Sequence, residues 1–307
     1  MTFLIREFPA PTHWRDRLIV WGARWLVRPN LATPFPWAMK RRSFATAGWM
    51  RPMAPGIRYE KIKIAGKTGA IYTPDNPDKR IVWIHGGGFV IGSPRTHKGM
   101  LSHLAAAANA VVIVPKYRLA PEHPFPAAVQ DIEAAFEEID AVHRDLGPII
   151  LGGDSAGGTL AAVALAHALR LGAPPIAKVV LISPATDLNP HRDVPQANDI
   201  LFPLKMFRRI AQVYAKAAAP TDPRLSPVHG DFTGAPEVLI QCCAGEYLEG
   251  DSDAFAARLD AQGVQVQLEK YQGLPHVFHF MAGSSPSADE AIRRLADFIN
   301  AAPEKAG

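Results

Sequence analysis

The chain reads as a single α/β domain built on a mostly parallel central sheet with helices on both faces. Three observations predict this. From residue 80 onward short apolar strands alternate with helix-length segments, the pattern of a parallel sheet covered on both sides. Two earlier strand-like runs, 59–64 and 70–73, are joined by a turn at 66–69, which predicts an antiparallel N-terminal edge. The 307 residues are 48% hydrophobic and 20% charged, ordinary values for a chain able to bury a large core without disulfides.

The front, residues 1–55, is rich in Trp, Arg and Pro and is read as a cap segment ahead of the main domain, 56–303. Within it, 16–28 predicts a helix. Arg17, Arg24 and Arg28 recur at helical spacing, while Leu18, Val20, Trp21, Trp25 and Leu26 supply apolar bulk. The favoured reading packs this helix on its own domain or on a partner subunit, which leaves a homodimer open. The alternative lays it on a membrane surface. Pro34, Pro36 and Pro52 are expected to break the remainder into short pieces.

After the strand at 80–84 come helix 96–108, strand 110–115, helix 126–144, strand 148–152, helix 159–171 and strand 177–182. The alternation resumes with strand 238–243, helix 252–262, strand 264–271 and helix 287–301. Between 183 and 237 it stops. That stretch holds a loop rich in Asp, Asn and Pro and a helix near 203–218. It follows the C-terminal end of a strand, where open α/β sheets bind ligands. Residues 185–235 are therefore read as a cap insertion that forms a lid together with the front segment.

Charge is unevenly placed. Net charge is +4, but residues 1–63 hold 12 Lys+Arg against 3 Asp+Glu, and the remainder is acidic. A basic front can face an anionic surface or the acidic body of its own protein. No nucleic-acid motif accompanies it, so no nucleic-acid partner is expected. The only cysteines, Cys242 and Cys243, are adjacent and suit buried thiols in a reducing compartment. There is no run of about 18 apolar residues and no basic-then-apolar leader. A cytoplasmic protein without a transmembrane segment is expected.

The chemistry centres on Gly153-Asp154-Ser155-Ala156-Gly157, which runs from the strand at 148–152 into the helix at 159–171. G-x-S-x-G between a strand and a helix is the elbow that exposes a nucleophilic serine. By chance alone the pattern arises in about one chain in ten of this length, so it needs companions. Serine requires a base, a group to orient that base, and donors for the oxyanion. His85-Gly86-Gly87-Gly88-Phe89 follows the strand at 80–84 and can turn its N–H groups inward; with the N–H of Ala156 it offers converging donors. His276, in the loop after the strand at 264–271, is the candidate base, and His279 its competitor. The acid is sought in the loop after 238–243, where Glu246, Glu249, Asp251 and Asp253 compete. Glu246 is favoured and Asp251 is the alternative. Asp251 or Ser252 suits the N-cap of the next helix, Asp253 its first turn, and Glu249 a solvated surface.

Three blocks together resemble the hormone-sensitive-lipase-like (bacterial family IV) carboxylesterases of the α/β-hydrolase fold. They are residues 85–89, the run Tyr117-Arg118-Leu119-Ala120-Pro121-Glu122-His123-Pro124-Phe125-Pro126-Ala127-Ala128, and residues 153–158. The resemblance spans residue 57 to the C-terminus, and Asp154 places the chain in the GDSAG branch. It implies that Ser155 is acylated, that His276 is the general base, that Gly87, Gly88 and Ala156 donate to the oxyanion, and that His85 fixes the glycine loop. Family members usually carry the acid as Asp in an Asp-Pro-Leu run; here the matching residues are Glu246-Tyr247-Leu248. No cofactor or metal is implied. The expected substrate is a small to medium acyl ester. The alternatives are a lactone or amide hydrolase with the same machinery, or a non-catalytic binding module like the plant gibberellin receptors, which resemble this family but lack the histidine. Specificity is assigned to Phe89, to Leu204, Met206 and Phe207 of the lid helix, and to the front tryptophans.

Overall fold

The computed structural model describes residues 3–142, 144–173, 175–190, 192 and 198–302. Its strands are β1 (Leu4–Phe8), β2 (Arg58–Ile64), β3 (Lys67–Thr73), β4 (Lys79–Ile84), β5 (Ala110–Val114), β6 (Ile149–Asp154), β7 (Ile176–Ile182), β8 (Val238–Cys243) and β9 (Val266–Tyr271). They form one sheet in the order β2, β3, β5, β4, β6, β7, β8, β9, β1. β2 pairs antiparallel with β3, and β3 with β5. All remaining pairs are parallel. The parallel sheet with its antiparallel edge is the architecture expected from the alternation.

Successive side chains of a strand point to opposite faces, and β4 illustrates the outcome. Ile81 and Trp83 join one core with α4 (Lys98–Ala108) and α9 (Pro286–Asn300). Val82 and Ile84 join the other with α5 (Ala127–Val142), α6 (Ala156–Leu171) and α8 (Glu249–Ala261). With both faces covered, the central strands can be apolar throughout, which is why their sequences read as runs rather than alternations.

The front segment differs from its expected form in two ways. Its first strand, β1, belongs to the sheet and pairs with β9, Leu4 opposite Gln267, so residues 1–55 are not only a cap. The rest is more helical than its prolines suggest. A helix runs from α1 (Trp14–Gly22) through a π-helical turn (Ala23–Val27) into α2 (Arg28–Ala32), and α3 (Trp37–Trp49) follows. Pro36 is the N-cap of α3 rather than a break within it, a position that demands no backbone N–H. The lid helix of the insertion is α7 (Leu204–Ala215). Residues 191 and 193–197 of that insertion lie outside the described residues, as does residue 303 at the expected domain end.

α1 is held to the body by a buried carboxylate. Asp16 accepts from Ser285 Oγ at 2.5 Å and Ser287 Oγ at 2.8 Å, at the start of α9. Replacing Asp16 by Ala leaves two hydroxyls without their acceptor. It should lower stability by about 2 kcal/mol, measured by urea unfolding, with Asp16→Asn losing less.

Candidate active site

Ser155 sits between β6 and α6 with φ 52° and ψ −122°, a strained conformation for a residue with a side chain. The bend is possible because the flanking positions lack one. A Cβ on Gly157 would lie 2.0 Å from the Ile84 carbonyl oxygen of β4, so α6 can start this close to the sheet only with glycine there. Ala156 opens α6, where the first backbone N–H groups have no intrahelical acceptor.

The glycine loop lies beside this elbow. Gly87 and Gly88 have φ of 120° and 59°, which lets the loop double back so that Val90 and Ile91 N–H both bond Gly87 O. The run 117–128 braces it. Tyr117 donates to the His85 carbonyl at 2.7 Å, and Ala120 N–H to the Phe89 carbonyl at 2.8 Å. Arg41 of α3 reaches Val90 O, Ala120 O and both oxygens of Glu122. His85 is buried, stacked on Tyr117 with ring centroids 4.3 Å apart. Burial, with His97 close by, pulls its pKa down to about 3, which leaves a neutral ring under the loop. Asp154 is buried too; its Oδ1 accepts from Trp83 Nε1 at 2.9 Å and its Oδ2 lies 3.2 Å from His97 Nε2. Burial opposes its charge, but His97 and Trp83 outweigh that and hold the carboxyl below the usual range.

His276 follows β9 and is also buried. Its Nδ1 lies 2.6 Å from Glu246 Oε2. The other oxygen of Glu246 accepts from Ser183 Oγ at 2.6 Å and from Cys243 N–H at 2.9 Å. A carboxylate only accepts, so Nδ1 carries a proton and Nε2 is left as the basic atom. Burial would pull the imidazole's pKa down; Glu246, with Asp199 beyond it, overcomes this and raises it. Phe202 meets the ring edge-on at 5.0 Å between centroids.

The competing residues stand elsewhere. His279 is buried with Nε2 2.8 Å from Gln241 Oε1, and burial pushes its pKa to about 3. Asp251 is not an N-cap: α8 begins at Glu249 after Leu248, so both Asp251 and Ser252 lie inside its first turn. The Asp251 carboxylate accepts from the Thr186 and Asp187 N–H groups and pairs with Arg192. Burial raises its pKa to about 6. Glu249 is not solvated alone, since it accepts from Gly245 N–H and shares Lys270 with Asp253.

Ser155, His276, Gly87, Gly88 and Ala156 all line one cavity of about 160 Å³. Phe89, Met206 and Phe207 line it as expected, but Leu204 does not. Leu204 is the first residue of α7, and the residues from that helix facing the cavity lie further along it, at Met206, Phe207, Ile210 and Ala211. Nor do the front tryptophans line it: Trp14, Trp21, Trp25 and Trp49 are exposed, and Trp37 is buried in the core. The front segment contributes Val27, Leu31 and Phe44 instead. Asp199 is a wall residue that sequence reading passed over. It accepts from the Leu201, Phe202 and Tyr247 N–H groups, and burial raises its pKa. An aspartate a few residues ahead of a helix in a ligand-side insertion was its only signal. Among the described residues no metal-binding cluster occurs, and no helix is long and apolar enough to cross a membrane.

A strained serine elbow, a facing glycine loop and a carboxylate-bound histidine at strand ends of a mostly parallel sheet define an α/β-hydrolase, and residues 81–299 match the family described as alpha/beta hydrolase fold. An acetyl-hydrolase of Streptomyces hygroscopicus is 36% identical, covering 75% of this chain and 78% of its own. Esterase LipI of Mycobacterium tuberculosis is 34% identical, covering 80% of this chain and 82% of its own. The crystal structure of an esterase from the bacterial hormone-sensitive lipase family superposes with a TM-score of 0.85 at 33% identity, covering 94% of this chain and 98% of that one. The chain belongs to the hormone-sensitive-lipase-like carboxylesterases of the α/β-hydrolase fold.

The Glu246 contact should be visible by NMR. The His276 imidazole is expected to titrate above its ordinary value of 6.5, and Glu246→Gln should bring that midpoint down by a unit or more, on the order of the loss of one close carboxylate.

Proposed function

We propose that Ser155 is the nucleophile of a Ser-His-Glu triad that hydrolyses small to medium acyl esters through an acyl-enzyme. The observation that carries this reading is the 2.6 Å contact of His276 Nδ1 with Glu246, made by a histidine that lines the same cavity as Ser155. Ser155 Oγ attacks the ester carbonyl as His276 Nε2 takes its proton, and Glu246 fixes the imidazole tautomer and stabilises the imidazolium. The N–H groups of Gly87, Gly88 and Ala156 bind the oxyanion; each such donor typically contributes roughly 3 kcal/mol in the transition state. The alcohol leaves with the proton from His276, and water activated by the same histidine releases the acid.

The acyl preference follows from the walls. The cavity is lined by Phe89, Met206, Phe207 and Ile210 with few polar groups. At about 160 Å³ it resembles apolar cavities that hold one benzene-sized molecule. Such a space accepts a short acyl chain. The pair of free, buried cysteines supports a reducing, cytoplasmic setting.

Ser155→Ala should lower kcat by about 10⁵-fold or more with the circular dichroism spectrum unchanged; surviving activity would refute the mechanism. Glu246→Gln should cost on the order of 10⁴ in kcat. Asp251→Asn, which weakens the Arg192 pair, should cost stability and little kcat. The reverse pattern moves the acid to Asp251. Across p-nitrophenyl esters from acetate to laurate, kcat/KM should peak among the short chains. Parallel assays with lactones and anilides separate ester hydrolysis from its two relatives.

A further inference from the structure

The helix 14–32 is apolar on two sides, and only one of them is covered. Its inner side is occupied: Asp16 bonds the start of α9, Ala23 is buried, and Val20 packs on the cluster of Tyr271 and Phe278. Its outer side presents Trp14, Leu18, Trp21 and Trp25, which are 62%, 57%, 54% and 62% exposed. Their spacing of i, i+4, i+7 and i+11 puts them on one face. This is where the molecule's exposed bulk gathers. Ten of the thirteen large hydrophobic residues exposed among the described residues fall between Trp14 and Met50. Single exposed apolar residues are normal, but a contiguous patch marks a docking surface.

A further observation says what docks. The patch is flanked by positive charge, with Arg15 and Arg17 of the same helix exposed. A two-fold contact would set this basic face against its own copy, which like-charge repulsion disfavours. An anionic lipid surface complements it. Tryptophan rings suit the headgroup level of a bilayer, and guanidinium groups suit its phosphates.

We propose that the Trp14–Trp25 face of the cap docks on anionic phospholipid membranes. Docking goes beyond the ester chemistry and does not depend on it. Neither the tryptophans nor Arg15 and Arg17 line the cavity.

The test is cosedimentation of the full chain with vesicles of phosphatidylcholine and phosphatidylglycerol in equal parts, against vesicles of phosphatidylcholine alone. Wild type should bind the mixed vesicles at least about tenfold more tightly than the neutral ones. The triple variant Trp14→Ser, Trp21→Ser, Trp25→Ser and the double variant Arg15→Glu, Arg17→Glu should each lose at least about tenfold in vesicle affinity. Both should hydrolyse soluble p-nitrophenyl butyrate at the wild-type rate, which verifies their folding. Ser155→Ala should sediment like wild type, so a failed nucleophile assignment leaves the docking result intact. The proposal is overturned if wild type stays in the supernatant, if it binds both vesicles equally, or if the variants bind as well as wild type. A wild-type dimer that the tryptophan variant converts to monomer would overturn it as well, by assigning the face to a second copy.

Discussion

One carboxylate joins three strand ends. Glu246 takes a hydroxyl from Ser183 after β7, an N–H from Cys243 at the end of β8, and the imidazole of His276 after β9. With both oxygens engaged the carboxylate cannot rotate, and so the histidine cannot either. The arrangement shows how a glutamate at this position reaches the imidazole. The longer side chain is folded back on the end of its own strand by the Cys243 N–H, which absorbs the extra methylene.

The backbone around this carboxylate is held in unfavourable conformations. Phe89, Ser155, Ser183 and Val277 all have positive φ without being glycine. Each such residue costs on the order of 1–3 kcal/mol, and for the β-branched Val277 the left-handed region is a pronounced outlier. All four adjoin or belong to the glycine loop, the elbow, the Glu246 donor or His276. The surrounding sheet and its two cores hold them there. A rigid scaffold of this kind holds the glycine loop, the elbow and the histidine in fixed positions, the condition under which preorganised sites gain most of their effect.

Much of this was legible in the sequence because the signals were local. The strand–G-x-S-x-G–helix run and the glycine triplet after β4 each follow from neighbours in the chain. What escaped was set by distant residues. β1 looked like part of a cap because its strand partner, β9, lies at the other end of the sequence. Asp251 looked like a helix cap because its real partners, the Thr186 and Asp187 N–H groups and Arg192, sit in the insertion. The tryptophans looked like pocket walls because aromatic bulk usually seeks cover; helical phase turned them outward and left Val27 and Leu31 to line the cavity.

The pairing of β1 with β9 also bears on how the chain is made. Residue 4 finds residue 267, so the first strand to leave the ribosome waits for almost the whole polypeptide before it can pair. Contacts this far apart close late and slowly. The sheet from β2 to β8 can assemble while the front helix, with its tryptophans and its uncovered inner face, remains undocked. The front strand therefore gains its place in the sheet only once β9 is available, and until then the nascent chain carries an unpaired edge open to aggregation or to a chaperone.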